Sequence, residues 1–268
     1  MPSVPFKEGR SQKPMQSLLG WEHSSSMLQL VCAICKFRRR PTSDALQLVG
    51  QIRSELKSLT TRISDHPYVR ALEQGRIQSD QLTVFAGQQH HIISSDLRSV
   101  GLILSRQGML SSRRFLMKVL QGEAAALDAL DAFAGALGLN VNDPEVCEPL
   151  PAAHAYCAFV AWLALYGSDA ELACAFLVNF PAWGANCARM YRALHEKYGI
   201  AASALGFFDL FANMPSFEQE ALCIIQNGLE RGVSARLIRR AARMLQSYEL
   251  MFWDTLASAS AVLPDRGE

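Results

Sequence analysis

Hydrophobic residues recur at intervals of three and four from Asp44 onward, which is the spacing of one face of an α-helix. The first such face consists of Leu46, Val49, Ile52, Leu56, Leu59 and Ile63. This predicted helix ends at His66, because the residue before a proline avoids the α-helical conformation. A short helix over residues 68–74 follows and is expected to end at Gly75. The patterned part of the chain therefore begins with helices.

The same periodicity predicts helices along the rest of the chain. Ser79 and Asp80 are expected to cap a long helix that runs to about Ser105. The later helices cover roughly residues 111–137, 152–166, 169–198, 204–212, 217–229 and 235–259. Ser168 and Ser234 precede two of these helices and are their predicted N-caps, because a hydroxyl there accepts a free backbone N–H.

Two further residues refine these helices. Ser216 and Gln219 have the spacing of a capping box, in which two side chains satisfy backbone N–H groups at a helix start. Pro181 lies inside the helix over residues 169–198. It is expected to kink that helix, because the proline ring displaces the carbonyl four residues earlier.

The pattern predicts an all-α fold, a single compact helical bundle over residues 43–268. No stretch alternates with the period of two that a half-buried strand requires. No unit of about 20 to 50 residues repeats, which argues against a solenoid. Residues 1–42 are rich in Ser, Pro, Lys and Gly and show no sustained period, so a flexible N-terminal extension is expected there.

Composition excludes some partners. The 26 Lys and Arg residues balance 25 Asp and Glu residues, so neither nucleic acid nor an acidic membrane surface is expected as a partner. The apolar run over residues 27–35 is about half as long as the roughly 20 residues that a membrane span needs. Seven cysteines are an odd and small number for this length, which indicates reduced thiols and a cytoplasmic location.

Glu249 is a charged residue at a position that the helical pattern predicts to be buried. It lies within an apolar stripe of the last predicted helix, formed by Ile238, Ala242, Leu245, Phe252 and Leu256. A carboxylate in such a place loses water, and burying it without a partner costs several kcal/mol. Glu249 therefore belongs either to a ligand site or to a structural ion pair with an arginine such as Arg98 or Arg189.

A second polar interruption occurs in the helix that follows Asp80. Gln89 lies on the stripe Leu82, Ala86, Ile93, Leu97, Val100 and Leu104, and His90 and His91 follow it. Adjacent helical residues point about 100° apart, so the two histidines cannot both bind one metal ion directly. Tyr156 and Trp183 lie on inward faces of later helices, as part of a pocket or of the plain core.

The other motifs of enzymes and metal sites are missing from the sequence. It contains no HExxH, no repeated ExxH, no Walker loop and no GxSxG. Glu123 is a single candidate for a carboxylate ligand, whereas a di-iron bundle requires several inward Glu and His residues. We therefore expect neither a bound metal nor another cofactor.

Three segments together resemble the TenA/thiaminase-II family and its relative PqqC. They are residues 66–77 (HPYVRALEQGRI), residues 82–91 (LTVFAGQQHH) and residues 246–254 (QSYELMFWD). The resemblance extends over about residues 45–258. It implies a helical bundle of the haem-oxygenase-like fold with an internal pocket, and relatives that are often dimers or tetramers, hence a homo-oligomer.

In TenA proteins this pocket hydrolyses an aminopyrimidine in thiamin salvage, which the resemblance suggests for this chain. Glu249 matches the C-terminal catalytic glutamate of the family, and Tyr156, Phe211 and Phe252 fall near its pocket aromatics. The chain departs from the family at two places. The expected aspartate is replaced in the sequence Gln88-Gln89-His90, and the expected cysteine is missing from residues 179–183 (NFPAW).

The leading interpretation is a protein that binds a small heterocyclic molecule such as an aminopyrimidine. Glu249 would be the acid, base or anchor, with Gln89 and His90 opposite it and with Tyr156, Trp183, Phe211 and Phe252 supplying aromatic surface. Hydrolysis of thiamin-related compounds remains open because the family's Asp and Cys are absent. The alternatives are a non-catalytic binding or regulatory protein and a PqqC-like or iron-dependent oxidase.

Overall fold

The computed structural model describes residues 43–106, 110–141 and 147–262, and within these ranges all regular structure is helical. The all-α prediction is confirmed. The predicted N-terminal extension over residues 1–42 lies outside the described residues. In the described ranges, no helix is both long enough and apolar enough to cross a membrane.

The helices are numbered here in the order in which they follow one another along the chain. Their bounds are α1 Ser43–Glu55, α2 Lys57–Ser64, α3 Pro67–Glu73, α4 Ser79–Arg106, α5 Leu110–Ala136, α6 Pro151–Tyr166, α7 Asp169–Glu196, α8 Gly206–Ala212, α9 Glu218–Glu230 and α10 Ala235–Ala259. A single 3-10 turn, Ala202–Ala204, precedes α8. The long helices α4, α5, α6, α7 and α10 provide most of the bundle.

The predicted single helix over residues 44–63 is wrong at Leu56. That residue leaves the helical conformation, with φ −93° and ψ 3°, and separates α1 from α2. Leu48 and Ile52 before the break pack into one core cluster, whereas Ile63 after it packs into the other. The residues on the two sides of Leu56 therefore pack into different parts of the core.

The predicted capping box at Ser216 is also wrong. Helix α9 begins at Glu218, and its N-cap residue is Phe217, whose side chain makes no capping bond. The Ser216 hydroxyl accepts a hydrogen bond from the Glu218 N–H at 3.4 Å, which differs from the predicted box with Gln219. The Phe217 ring packs against Phe115 and Phe180, at centroid distances of 5.5 and 5.8 Å. Ser168 does form a capping box, with Glu171 at the start of α7.

The site is positioned by the packing of the long helices. Helix α4 packs against α5 and α6, while α10 packs against α6 and α7. Two buried apolar clusters fill the spaces between them, and side chains of α4, α6 and α7 contribute to both. Inward-pointing residues of α4, α5, α6, α7 and α10 therefore meet in the interior of the bundle.

Candidate functional site

A cavity lies in the interior of the bundle, between the long helices. Its volume is about 40 Å³, counted as the space open to the centre of a water-sized sphere. Because one water needs roughly 10–15 Å³ by this measure, the cavity accommodates a few waters or a small ligand. The lining residues are Gln89, Ile92, Ile93, Asp96, Glu123, Tyr156, Asn179, Phe180, Trp183, Phe211, Glu249 and Phe252.

Glu249 reaches this cavity from α10, where its side chain is 2% exposed. Its Oε1 accepts a hydrogen bond from Trp253 Nε1 at 3.1 Å, and its Oε2 accepts one from Asn179 Nδ2. Both donors are neutral. The alternative of an arginine partner is not supported, because Arg98 is exposed and Arg189 instead binds both carboxylate oxygens of Glu73, at 2.8 and 2.6 Å.

Asn179 links Glu249 to two other polar side chains. Its Oδ1 accepts a hydrogen bond from the Tyr156 hydroxyl at 3.0 Å, and its Nδ2 also donates to Gln246 Oε1 at 3.0 Å. Gln246 in turn donates to Thr60 Oγ1 at 3.1 Å. This chain of bonds fixes the amide orientation of Asn179 and holds one edge of the Glu249 carboxyl.

Two more carboxyl groups line the same cavity, Asp96 from α4 and Glu123 from α5. Their residues are 4% and 7% exposed, and the Oδ1 atom of Asp96 has no hydrogen-bond partner. Asp96 was not predicted as a site residue from the sequence, although it lies seven residues after Gln89 and three after Ile93, on the same face of α4. Glu123 was considered only as a metal ligand.

The low polarity of the cavity changes the acidity of its groups. Burial raises the pKa of Glu249 to about 7, although its bonds from Trp253 and Asn179 oppose the rise. Burial also raises the pKa of Glu123 to about 7. The pKa of Asp96 lies well above its ordinary value, because of burial first and of repulsion from Glu123 second. Burial therefore favours the protonated form of all three carboxyls relative to a carboxyl in water.

Aromatic rings form another part of the wall. The ring of Trp183 packs edge-on against Phe211, at a centroid distance of 5.7 Å and an angle of 83°. It meets Phe252 at 6.0 Å and 67°. Helical spacing placed Tyr156, Trp183 and Phe252 on inward faces, and the family resemblance placed Phe211 near the pocket. All four line the cavity.

Among the neighbouring residues 88–91, some line the cavity and others contact the rest of the bundle. Gln89 is buried and lines the cavity, whereas His90 is half-buried and is not among the lining residues. Gln88 binds the connection before α6, donating to the Glu148 carbonyl at 2.9 Å and accepting from the Leu150 N–H at 2.8 Å. His90 is therefore not opposite Glu249, because consecutive helical residues point in different directions.

No described cysteine lines the cavity. Cys157, Cys174, Cys187 and Cys223 are free thiols, and neither they nor Cys147 line it. Burial raises the pKa of the Cys157 thiol to about 11, and burial together with the charge of Glu249 raises that of Cys187. Within the described ranges, no group of three or more His, Cys, Asp or Glu side chains is arranged to hold a metal ion.

A second, larger cavity adjoins the first and is closer to the connection between α8 and α9. Its volume is about 280 Å³ by the same measure. Phe180 and Phe211 line both cavities. An ion pair between Arg53 and Glu218, at 2.6 Å, also lines the second one. The two phenylalanine side chains therefore form a shared wall.

Solved structures of similar proteins share this architecture. A TenA homologue from Pseudomonas syringae pv. tomato is 15% identical and superimposes with a TM-score of 0.67 over 78% of this chain and 92% of its own. A TenA homologue from P. horikoshii is 17% identical, with a TM-score of 0.62 over 79% and 99%. A Shewanella denitrificans domain described as having a heme oxygenase-like fold is 12% identical, with a TM-score of 0.59 over 83% and 97%. The fold is heme oxygenase-like.

Sequence comparison gives the family assignment. No curated protein sequence matches the chain significantly. The profile of the TENA/THI-4/PQQC family, in contrast, matches residues 53–259, which is more than half of the 268 residues. That range contains every residue that lines the inner cavity. The chain therefore belongs to the TENA/THI-4/PQQC family.

Proposed function

We propose that this protein binds a small amino-substituted heteroaromatic molecule, such as an aminopyrimidine, in the inner cavity, with Glu249 as its anchor. The observation that carries the proposal is the fully buried Glu249 carboxyl, which lines a cavity and receives hydrogen bonds from neutral donors only. Such a carboxyl is costly to bury, and a ligand N–H group compensates that cost.

The rest of the wall matches the same class of ligand. A planar aromatic ring packs favourably against Trp183, Phe211 and Phe252. The amino group donates to one carboxyl oxygen, and the adjacent ring nitrogen pairs with the other oxygen through a single proton that the two share. Gln89 adds an amide that both donates and accepts hydrogen bonds. The small volume favours a molecule with a single ring.

Hydrolysis of the bound molecule is a second candidate function, and one observation favours it. A carboxyl with a pKa of about 7, as Glu249 has, takes up and releases protons readily at neutral pH. It is therefore suited to activate a water molecule or to protonate a leaving group. Attack by a thiolate is not proposed, because the buried Cys157 and Cys187 do not line the cavity.

Isothermal titration with 4-aminopyrimidine tests the binding proposal. We expect Glu249→Gln to weaken binding about ten- to hundredfold, which is the effect of losing a charge-assisted hydrogen bond. Glu196→Gln, at the exposed end of α7, is the matched control and should bind like the wild type. Equal affinities of the wild type and Glu249→Gln would refute the proposal. Product analysis of aminopyrimidines incubated with each protein separates hydrolysis from binding alone.

Location and assembly also stay proposals. We propose a cytoplasmic protein, which the free thiols of Cys157, Cys174, Cys187 and Cys223 support, because disulfides are rare in that compartment. The resemblance to oligomeric relatives supports a homo-oligomer. Size-exclusion chromatography with light scattering measures the mass in solution, and a monomer mass of 29.6 kDa would contradict the latter.

A further inference from the structure

We propose that a surface formed by α6 and α10 binds an acidic, partly apolar segment of a partner protein. The surface consists of two rows of side chains that contact each other. The aromatic row is Tyr248, Phe159, Trp162 and Tyr166, and the arginine row is Arg236, Arg240 and Arg243. None of these residues lines either of the two cavities, so the inference does not depend on the ligand that the protein binds.

The aromatic row is a continuous series of ring contacts. The Phe159 ring contacts those of Tyr248 and Trp162, at centroid distances of 5.4 and 5.8 Å. Trp162 in turn contacts Tyr166 at 5.7 Å. Trp162 is 38% exposed, Tyr166 is 71% exposed, and Leu165 beside it in the chain is 50% exposed. Large exposed side chains that cluster in this way mark interaction surfaces, because a partner removes them from water.

The arginine row follows one side of α10. Arg236, Arg240 and Arg243 are four and three residues apart, which places them on the same face of the helix, and all three are exposed. Arg240 joins the two rows, because its guanidinium group lies over the Trp162 ring at 5.4 Å from the centroid. Within the part of the chain that the structure describes, none of the three arginines forms an ion pair.

The positive charge of this surface is not balanced by its own helices. Helix α6 contains no Asp or Glu. Helix α10 contains Glu249, which is buried, and Asp254, which pairs with His66 at 3.0 Å. Arg239 differs from the arginine row, since it pairs with Glu55 of α1 at 3.1 Å. The guanidinium groups of the row therefore remain available to carboxylates of a partner, which they bind through paired N–H donors.

The chemistry of the surface favours a protein segment over other partners. A nucleic acid strand needs open ring faces on which its bases stack. Trp162, however, already has Arg240 over its ring and Phe159 stacked with it at an interplanar angle of 6°. Exposed Leu165 and Met251 add aliphatic surface, which apolar side chains match better than bases do. The partner that fits both rows is an amphipathic helix with carboxylates beside its apolar stripe.

A second copy of this chain fits the surface less well. A two-fold contact would place the surface against itself, as in most dimers. It would double the number of unpaired guanidinium groups without adding a carboxylate, and like charges repel. An acidic partner is the complement that the arginine row requires.

A defined peptide tests the proposal by fluorescence anisotropy. Residues 236–251 of α10 extend over about 22 Å, so a helical peptide of about 16 residues covers both rows. The labelled probe has leucines on one face and glutamates beside them. One control peptide has lysines in place of the glutamates, a second has serines in place of the leucines, and a labelled oligothymidylate represents nucleic acid.

Two variants remove one row each. The double variant Arg240→Glu/Arg243→Glu reverses charge in the arginine row, and Tyr166→Ser shortens the aromatic row at its most exposed ring. The matched control is Arg114→Glu, which reverses the charge of an exposed arginine on α5. Light scattering of each protein reports its mass in solution.

We expect wild-type protein to bind the glutamate–leucine peptide at least about tenfold more tightly than either control peptide or the oligothymidylate. Binding should weaken between about 0.05 and 0.5 M salt, because salt screens exposed charges. The double variant should weaken binding more than about tenfold and Tyr166→Ser about threefold or more, whereas Arg114→Glu should bind like the wild type. The four probes on wild-type protein require no variant, so they decide even if a substitution prevents folding.

Several results would overturn the proposal. Absence of binding by the glutamate–leucine peptide, or equal binding of the lysine peptide, would show that the arginine row does not select carboxylates. Tighter binding of the oligothymidylate would assign the surface to nucleic acid instead. A wild-type oligomer that either variant converts to a monomer would show that the surface is a contact between copies of this chain. Equal masses of the wild type and both variants support the proposal.

Discussion

At the scale of single residues, burial of the Glu249 carboxyl raises its pKa and thereby makes the free energy of folding depend on pH. Two neutral donors, Trp253 and Asn179, stabilise its ionised form, but burial opposes them and dominates. The unfolded chain exposes the same carboxyl to water, where its pKa is ordinary. Folding therefore becomes less favourable when the pH is high enough for Glu249 to be ionised in the unfolded chain.

The difference between the pKa of Glu249 in the folded state and in the unfolded state predicts how stability depends on pH. The contribution of Glu249 is fully present below its ordinary pKa of 4.5 and is lost as the pH rises to about 7, which corresponds to about 3 kcal/mol. Urea denaturation of wild type and Glu249→Gln between pH 4.5 and 8 measures it, because the difference between the two proteins isolates this residue from Asp96 and Glu123. We expect Glu249→Gln to gain relative stability as the pH rises.

The exposed substitution Glu196→Gln provides the control, since it should follow the wild-type curve at every pH. Parallel curves for wild type and Glu249→Gln would show that the buried carboxyl is not destabilised by ionisation.

Some site residues could be predicted from the sequence and others could not, for a physical reason. Glu249 and Gln89 each interrupt a regular apolar stripe, so helical periodicity alone places them inside. Asn179 is different, because α7 is buried nearly all round from Asp169 to Phe180 and has no single stripe to interrupt. Asp96 lies beside Leu97 at the edge of its stripe, and its burial depends on how α4 and α5 rotate against each other.

At the scale of helices, packing between α7 and α9 depends on a residue without a side chain. Gly228 of α9 lies directly against Ala170 of α7, so a Cβ atom added at Gly228 would collide with the Ala170 side chain. Both residues are buried. The close approach of the two helices thus requires glycine at this position, although glycine is otherwise unfavourable within a helix.

Gly228→Ala is therefore expected to destabilise the protein by about 1–3 kcal/mol, the usual cost of overpacking a core. Gly122→Ala is the matched comparison in α5, where nothing lies within 4 Å of the added Cβ atom. That substitution should stabilise the protein by about 0.5–1 kcal/mol, since alanine favours a helix more than glycine does. Denaturant unfolding of both variants checks the pair, and a Gly228→Ala variant as stable as Gly122→Ala would contradict the proposed contact.

The errors in the predicted helix bounds have the same origin as this contact. The break at Leu56 separates residues that pack into different core clusters, and α9 begins at Glu218 beside Phe217, which packs against Phe115 and Phe180. Local periodicity predicts that a helix exists, but it does not contain the tertiary contacts that end one. Ser168 was predicted as an N-cap, and it is one, forming a capping box with Glu171.

At the scale of the whole molecule, the fold class was predictable because every long segment carries the helical period. The cavity was not, because it depends on the relative rotation of five helices. The same holds for the wall between the two cavities. Phe180 of α7 and Phe211 of α8 line both, and their helices pack against each other. This wall separates the buried carboxyls from a compartment several times larger.

Removing part of that wall should change the rates of ligand exchange. The Phe211 ring packs against Trp183 and Phe207, at centroid distances of 5.7 and 5.2 Å, and fills space between the cavities. In Phe211→Ala we expect the association and dissociation rates of 4-aminopyrimidine both to rise, the latter more because a ring contact is lost as well. Stopped-flow measurement of tryptophan fluorescence follows both rates. Phe159→Ala, a half-buried phenylalanine that lines neither cavity, is the control. A faster dissociation with unchanged association would mean that Phe211 only contacts the ligand and does not restrict its path.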